Sequence, residues 1–405
     1  MFMPMKMDVK GLLTKEEALF RLFEKWQPDI KVETIPIEQS KGRILAKNIF
    51  ALYTLPVVRA AIMDSVALSS NDFENGMPDT SLWKRGVEYD FADMGDDFDD
   101  RYDAAIRVED VSFSADGTIC INDDVKVVPG MGIKAKGDIV CEGQLLLTKG
   151  RKIMTTDLAV LAVGGITEIF VYKKPIIAII PTGSELIARG TKPERGQNID
   201  ANSIMLENML LEMGAEPLCY PIVKDDPKML SESLEDALVR ADVVVVNGGS
   251  SKGSEDFCTK LLHGRGEFLF HGVARVPGRP LGMAVTDGKP VINLPGPTVA
   301  AFNGTDWCLR AIVARILQSR IEKRPTVRAI LTEDLCTPMP MEYMARLNIT
   351  KGEDGCFYAD PLSKSRDFVV RSIGANGVFI SPIGFGEYLK GTEIEVELLC
   401  QEEYI

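Results

Sequence analysis

Histidine is almost missing from this chain: only His263 and His271 occur in 405 residues. That speaks against a Ser-His-Asp triad or a His-rich metal site, and leaves acid–base and metal chemistry to Asp and Glu. Both histidines flank the charged patch GRGEF (264–268) and read as structural or solvent-exposed. Carboxylates beside phosphate oxygens suit Mg²⁺ better than a transition metal. Paired cysteines are also lacking. The eight cysteines are scattered from Cys120 to Cys400 with no CxxC pair, a pattern of reduced thiols rather than a disulfide framework or zinc site. Positive charge is in deficit, with 46 basic against 59 acidic residues and a formal net charge of −13. This excludes a nucleic-acid surface or a polybasic membrane patch. No apolar run approaches the roughly 20 residues of a membrane span, and the opening MFMPMKMDVKG lacks a signal-peptide core. The expectation is a soluble cytoplasmic protein without nucleic-acid or membrane partners.

What is present divides the chain. Its length predicts two to four domains. Residues 11–27 show helical periodicity, opened by a Thr14–Glu17 capping box. The segments 1–50 and 144–173 read as one mixed α/β domain and 51–143 as an inserted β-rich domain, with strand-like runs at 104–113 and 125–130. Within it the stretch 88–103 holds eight acids against Arg101, the pattern of a solvated loop. Residues 174–323 alternate strand and helix, as in a doubly wound α/β domain, and 327–405 alternate short strands with glycine turns, as in a small all-β domain. The fold class is α/β multidomain.

The chemistry concentrates in turns that follow strands. After the run Val243–Val246, which suits a strand buried on both faces, comes NGGSSKGSED (247–256). Gly248, Gly249, Ser250, Ser251 and Gly253 offer close backbone amides and short hydroxyls to phosphates. Asp256 would repel a bare phosphate, so it implies a divalent cation or a proton-handling role. The strand 174–180 runs into PTGSEL, where Thr182, Gly183 and Ser184 precede the carboxylate of Glu185. Residues 282–294 read as a hairpin around Asp287-Gly288, entered through PGRP (277–280) and left through PGPT (295–298), with a helix of about 20 residues following. In open α/β sheets ligands bind at the carboxyl ends of strands, where such turns gather.

With these landmarks the chain resembles the molybdopterin molybdenumtransferase family (MoeA and the E domain of gephyrin-like proteins). The marks are GRILA (42–46), MDS (63–65), KGD (136–138), PTGSEL, Asp200 to Ser203, DDP (225–227), ADVVVVNGG (241–249), PGRP, LPG (294–296), ANG (375–377) and KGTEIEV (390–396). The resemblance implies a doubly wound, MogA-like α/β domain, β-rich N-terminal domains and a small C-terminal β-barrel-like domain. It implies an enzyme that binds adenylylated molybdopterin with a divalent cation, Mg²⁺ among them, inserts molybdate and releases AMP. It further implies a homodimer with a cleft shared between subunits, and contact with molybdoenzyme apoproteins or other cofactor-biosynthesis proteins. Asp64, Asp138, Asp242 and Asp256 then become catalytic candidates, and Glu185 and Asp256 metal ligands. Arg275 and Arg279 stand where the family carries lysines, suited to an oxyanion. Pro295 and Gly296 shape the last turn, and Ser365 and Arg366 match a serine and basic residue of the last domain. The chain departs from the pattern at Arg59–Ile62, Ser65, Met94–Asp97, Ser250–Lys252 and Pro297–Ala300. These departures leave a second reading open: a non-catalytic pterin- or nucleotide-binding paralogue acting as carrier, regulator or scaffold.

Overall fold

Four valines in a row leave the strand Val243–Asn247 without a polar face, and every residue of it is buried. In the computed structural model it lies at the centre of a six-stranded sheet. The order is Glu216–Cys219, Ile176–Pro181, Val243–Asn247, Lys289–Leu294, Gly282–Thr286, Glu267–His271. The first four run parallel, and the last two are antiparallel additions. Helix Pro227–Arg240, capped by Asp226 with Pro227 in its first turn, buries Leu230, Leu234, Ala237 and Leu238 against the sheet. The turn of the predicted hairpin falls at Asp287 and Gly288, both at positive φ, as a tight two-residue connection requires. The structure describes residues 11–115, 117–249, 266–337, 340–362, 370, 372, 374–384 and 386–402.

The chain folds into two compact units, Val32–Val171 and a second that joins the segment ending at Lys31 to everything from Tyr172 onward. The second contains the sheet and a five-stranded barrel, in which Glu342–Lys351, Phe357–Pro361, Thr326–Leu331, Glu393–Leu398 and Gly377–Ser381 close back on the first strand. Helix Lys15–Lys25 carries the predicted capping box: the Glu17 amide donates to Thr14 Oγ1 at 3.1 Å, and the Thr14 amide to Glu17 Oε2 at 2.8 Å. Its place differs from the sequence expectation, which grouped it with 32–50. It buries Ala18 and Leu22, touches the strands Gly282–Thr286 and Glu267–His271, and pairs Lys15 with Glu342 at 2.9 Å.

The unit Val32–Val171 has separate cores. One joins Ile35, Leu45 and Ile49 to Leu147, Ile153, Leu161 and Ile169, and another joins Val66, Leu68, Tyr89, Ile106 and Ile119. The expected strand at 125–130 is absent: Val125 and Val127 pack on that core without pairing. The acidic stretch 88–103 is also less of a loop than its charge predicts. It opens as the strand Tyr89–Ala92 and buries Phe98 and Tyr102. Among the described residues no helix is long and apolar enough to cross a membrane.

Candidate functional site

Because Ile176–Pro181, Val243–Asn247 and Lys289–Leu294 run parallel, their carboxyl ends share one edge of the sheet. Gly282 pairs with Asn293, so the PGRP turn enters at the same edge. Four small-residue turns are thereby brought together. Direct bonds lock neighbours: the Thr182 amide donates to the Asn247 carbonyl at 2.9 Å, and the Gly248 amide to the Leu294 carbonyl at 3.0 Å.

Gly248 must be glycine. At φ +118° a Cβ would lie 2.2 Å from the Thr182 carbonyl oxygen, a clash with backbone that no rotamer relieves. In the first turn Glu185 folds its carboxylate over Gly183, where a Cβ would come within 2.9 Å of both oxygens. Ser184 is held by a reciprocal pair: its amide donates to Asp225 Oδ2 at 2.8 Å, and the Asp225 amide donates to Ser184 Oγ at 3.1 Å. Thr182 is buried, while Ser184 and Glu185 are exposed. Gly296 faces open space and is exposed. Arg279 is half-buried, its carbonyl taking the Val273 amide at 2.9 Å.

Two predicted residues stand elsewhere. Asp242 precedes the valine strand and therefore sits at the opposite, amino edge, about 20 Å from Gly248 at about 3.3 Å per residue. There it pairs with Lys31 at 2.9 Å and accepts the Ile176 amide at 2.9 Å. This is a strand-anchoring role, and it corrects the catalytic assignment. Arg275 is 3% exposed. Its Nε donates to Asn303 at 2.8 Å and its guanidinium contacts Glu342, so the fork intended for an oxyanion is already engaged with protein. Burial pushes its pKa down to about 10, where it still carries charge at neutral pH. Asp64 and Asp138 lie in the other unit, both exposed at turns. Asp64 accepts the Met94 amide at 3.0 Å, and Asp138 the Ala135 amide at 2.6 Å. Ser250, Ser251, Gly253, Asp256, Ser365 and Arg366 fall outside the described residues. Among the described residues no three His, Cys, Asp or Glu side chains group as a metal site. Glu185, with Asp225 bound to the same turn, offers the hard oxygens that a cation shared with substrate phosphates takes.

Asp225 and the buried Asn202, Asn247 and Asn293 were not singled out by the sequence as working residues. The signal available was their placement at the carboxyl ends of strands or at the starts of helices.

A doubly wound sheet with turns gathered at its carboxyl edge, joined to a barrel and a β-rich unit, defines a class of multidomain α/β proteins with a turn-built ligand site. Residues 178–315 match the probable molybdopterin binding domain, and 13–165 match the MoeA N-terminal region (domain I and II). The chain is similar to the molybdopterin molybdenumtransferase of Staphylococcus epidermidis, 24% identical over 97% of both chains. It is also similar to that of Haemophilus influenzae, 24% identical over 90% of both. The molybdopterin biosynthesis MoeA protein of Pyrococcus horikoshii superposes with a TM-score of 0.79 at 27% identity, covering 96% of this chain and all of that one. The chain belongs to the MoeA family of molybdenum-cofactor biosynthesis, whose curated relatives named here are transferases.

Proposed function

We propose that this chain performs the reaction its relatives' name describes, inserting molybdate into adenylylated molybdopterin with release of AMP. The observation that carries this reading is the packing of four small-residue turns at one sheet edge, with Gly248 pressed so tightly against Thr182 that a side chain is barred. Such a surface lets backbone lie close against an anionic ligand. The Thr182, Gly183, Ser184 and Gly248 amides are spent on holding the turns together, so the donors to the ligand would come from the later turn at Gly296. Thr182, Gly183 and Ser184, the glycines 248 and 249, and Pro295 and Gly296 line the edge. Arg279 supplies the positive charge an oxyanion needs in an acidic protein. Glu185, with Asp256, would hold Mg²⁺, which when bound neutralises charge on the pyrophosphate.

The reading includes a homodimer in which the partner subunit brings Asp64 and Asp138 to the site. Support comes from the exposed apolar side chains Phe50, Leu52, Tyr53, Val57 and Val58, which lie close in sequence within the unit Val32–Val171 and would be covered by a partner. The relatives named above are transferases, and none is described as a carrier or scaffold. The direct test incubates purified protein with adenylylated molybdopterin, Mg²⁺ and molybdate. AMP should appear in proportion to molybdenum bound by the pterin. Absence of AMP release with intact substrate would remove the reading.

A further inference from the structure

Prolines at 295 and 297 take backbone N–H donors out of the last turn, yet its carbonyls point at the end of the valine strand and need partners. Asparagine side chains supply them. Asn247, 3% exposed, donates from Nδ2 to the Pro295 carbonyl at 2.9 Å. Its Oδ1 accepts from Asn202 Nδ2 at 2.8 Å, and the same nitrogen of Asn202 donates to the Gly296 carbonyl at 2.7 Å. From the other side Asn293 Nδ2 reaches the Gly248 carbonyl at 2.8 Å and the Val246 carbonyl at 3.2 Å. The three amides join the start of helix Asn202–Met213, the Gly248 turn and the Gly296 turn.

We propose that Asn202 and Asn247 are positioning residues that set the separation between the Gly248–Gly249 and Pro295–Gly296 turns. The proposal rests on the transferase reading. Only an amide carries a donor and an acceptor on one planar group. A carboxylate at either position would lose the donor, and at Asn202 it would set acceptor against acceptor. Buried bonds of this kind are electrostatically strong and fix a spacing more firmly than apolar contact does. A second observation says that the spacing, rather than stability, is what the arrangement serves. Asn202 is 8% exposed, and its Oδ1 is buried without a hydrogen-bond partner. Leaving a buried acceptor unmet opposes folding, and such groups in native structures call for an explanation in function. Here the residue is held for where its nitrogen reaches.

The test uses the full chain with Asn202→Ala, Asn247→Ala and the double variant, following kcat and KM for molybdate-dependent AMP release, adenylate affinity by calorimetry, and thermal melting. Each single variant should lower kcat on the order of ten- to a hundredfold while melting within a few degrees of the parent. The double should be no slower than the worse single, because the two side chains act as one relay. Where Asn247→Ala does not fold, Asn247→Asp keeps the acceptor for Asn202, loses the donor to Pro295, and should show the same kcat loss. Singles within twofold of the parent, or losses that multiply in the double, overturn the proposal. Should the parent itself release no AMP, the transferase reading falls first. Adenylate affinity then decides the relay: a roughly tenfold loss in each single sustains it, and unchanged affinity ends it.

Discussion

At the scale of single residues, the two glycines of the adjoining turns make opposite demands. Gly248 is fixed by geometry internal to the protein, since a Cβ there meets the Thr182 carbonyl and the backbone sits at positive φ. Gly248→Ala should therefore destabilise the fold by about 1–3 kcal/mol through strain alone, with the clash added. Gly296 has open space around its Cα, so Gly296→Ala should melt with the parent. If the turn meets a ligand, that silent variant should nonetheless bind adenylate more weakly. Paired melting curves and calorimetry on both variants check this. A Gly248→Ala protein as stable as the parent would show that the turn can move away from Thr182.

At the scale of elements, the helix that follows the last turn is less regular than its sequence suggests. The expected single helix of about 20 residues is Thr298–Gly304, a π turn at Thr305–Leu309, and Arg310–Ile316. Asp306, on the π turn, bonds Arg310 at 3.0 Å and accepts two bonds from Arg324, whose other reach is to Glu397 of the barrel at 3.4 Å. Burial, the largest influence on Asp306, would raise its pKa, but Arg324 and Arg310 together hold it below the usual carboxylate range. A depressed folded-state pKa gives stability that is fully present above the unfolded value of about 3.9 and is lost as pH falls through the folded value. Asp306→Asn should thus cost about 1–3 kcal/mol near neutrality, because the half-buried Arg310 and Arg324 lose a charged partner, and progressively less below about pH 4. Urea unfolding at pH 7 and pH 3 reads the difference. An equal penalty at both values would mean that the carboxylate's charge contributes nothing.

Elements whose cause is local were legible in the sequence. The Thr14–Glu17 box, the Asp287-Gly288 hairpin and the valine strand each follow from neighbours in the chain. Arrangements made by distant side chains were not. The asparagine relay joins residues 202, 247 and 296, and a π turn has no signature in composition. Asp242 was misassigned although the signal existed, because a residue before a parallel strand and a turn after it lie at opposite ends. Arg275 looked like a twin of Arg279. Their separation comes from the short strand Arg275–Val276, which adds to the barrel beside Glu342–Tyr343 and carries the first arginine inward.

At the scale of the whole molecule, the proposed reading includes a second copy of the chain. Light scattering at micromolar concentration should report a dimer, and replacing Leu52 and Val57 with charged residues should yield monomers that still fold but release little AMP. A fully active monomer would refute the shared site. The two-unit architecture also has a temporal side. Helix Lys15–Lys25 is made well before its seat, which lies on the strands Gly282–Thr286 and Glu267–His271. At ordinary rates of synthesis those strands follow on the order of tens of seconds later. Meanwhile the unit Val32–Val171 has all its residues and can close. The apolar stripe of Ala18, Leu22 and Trp26 must wait uncovered for that interval. The nascent chain is therefore open to chaperones and to aggregation at this helix, which docks long after it is made.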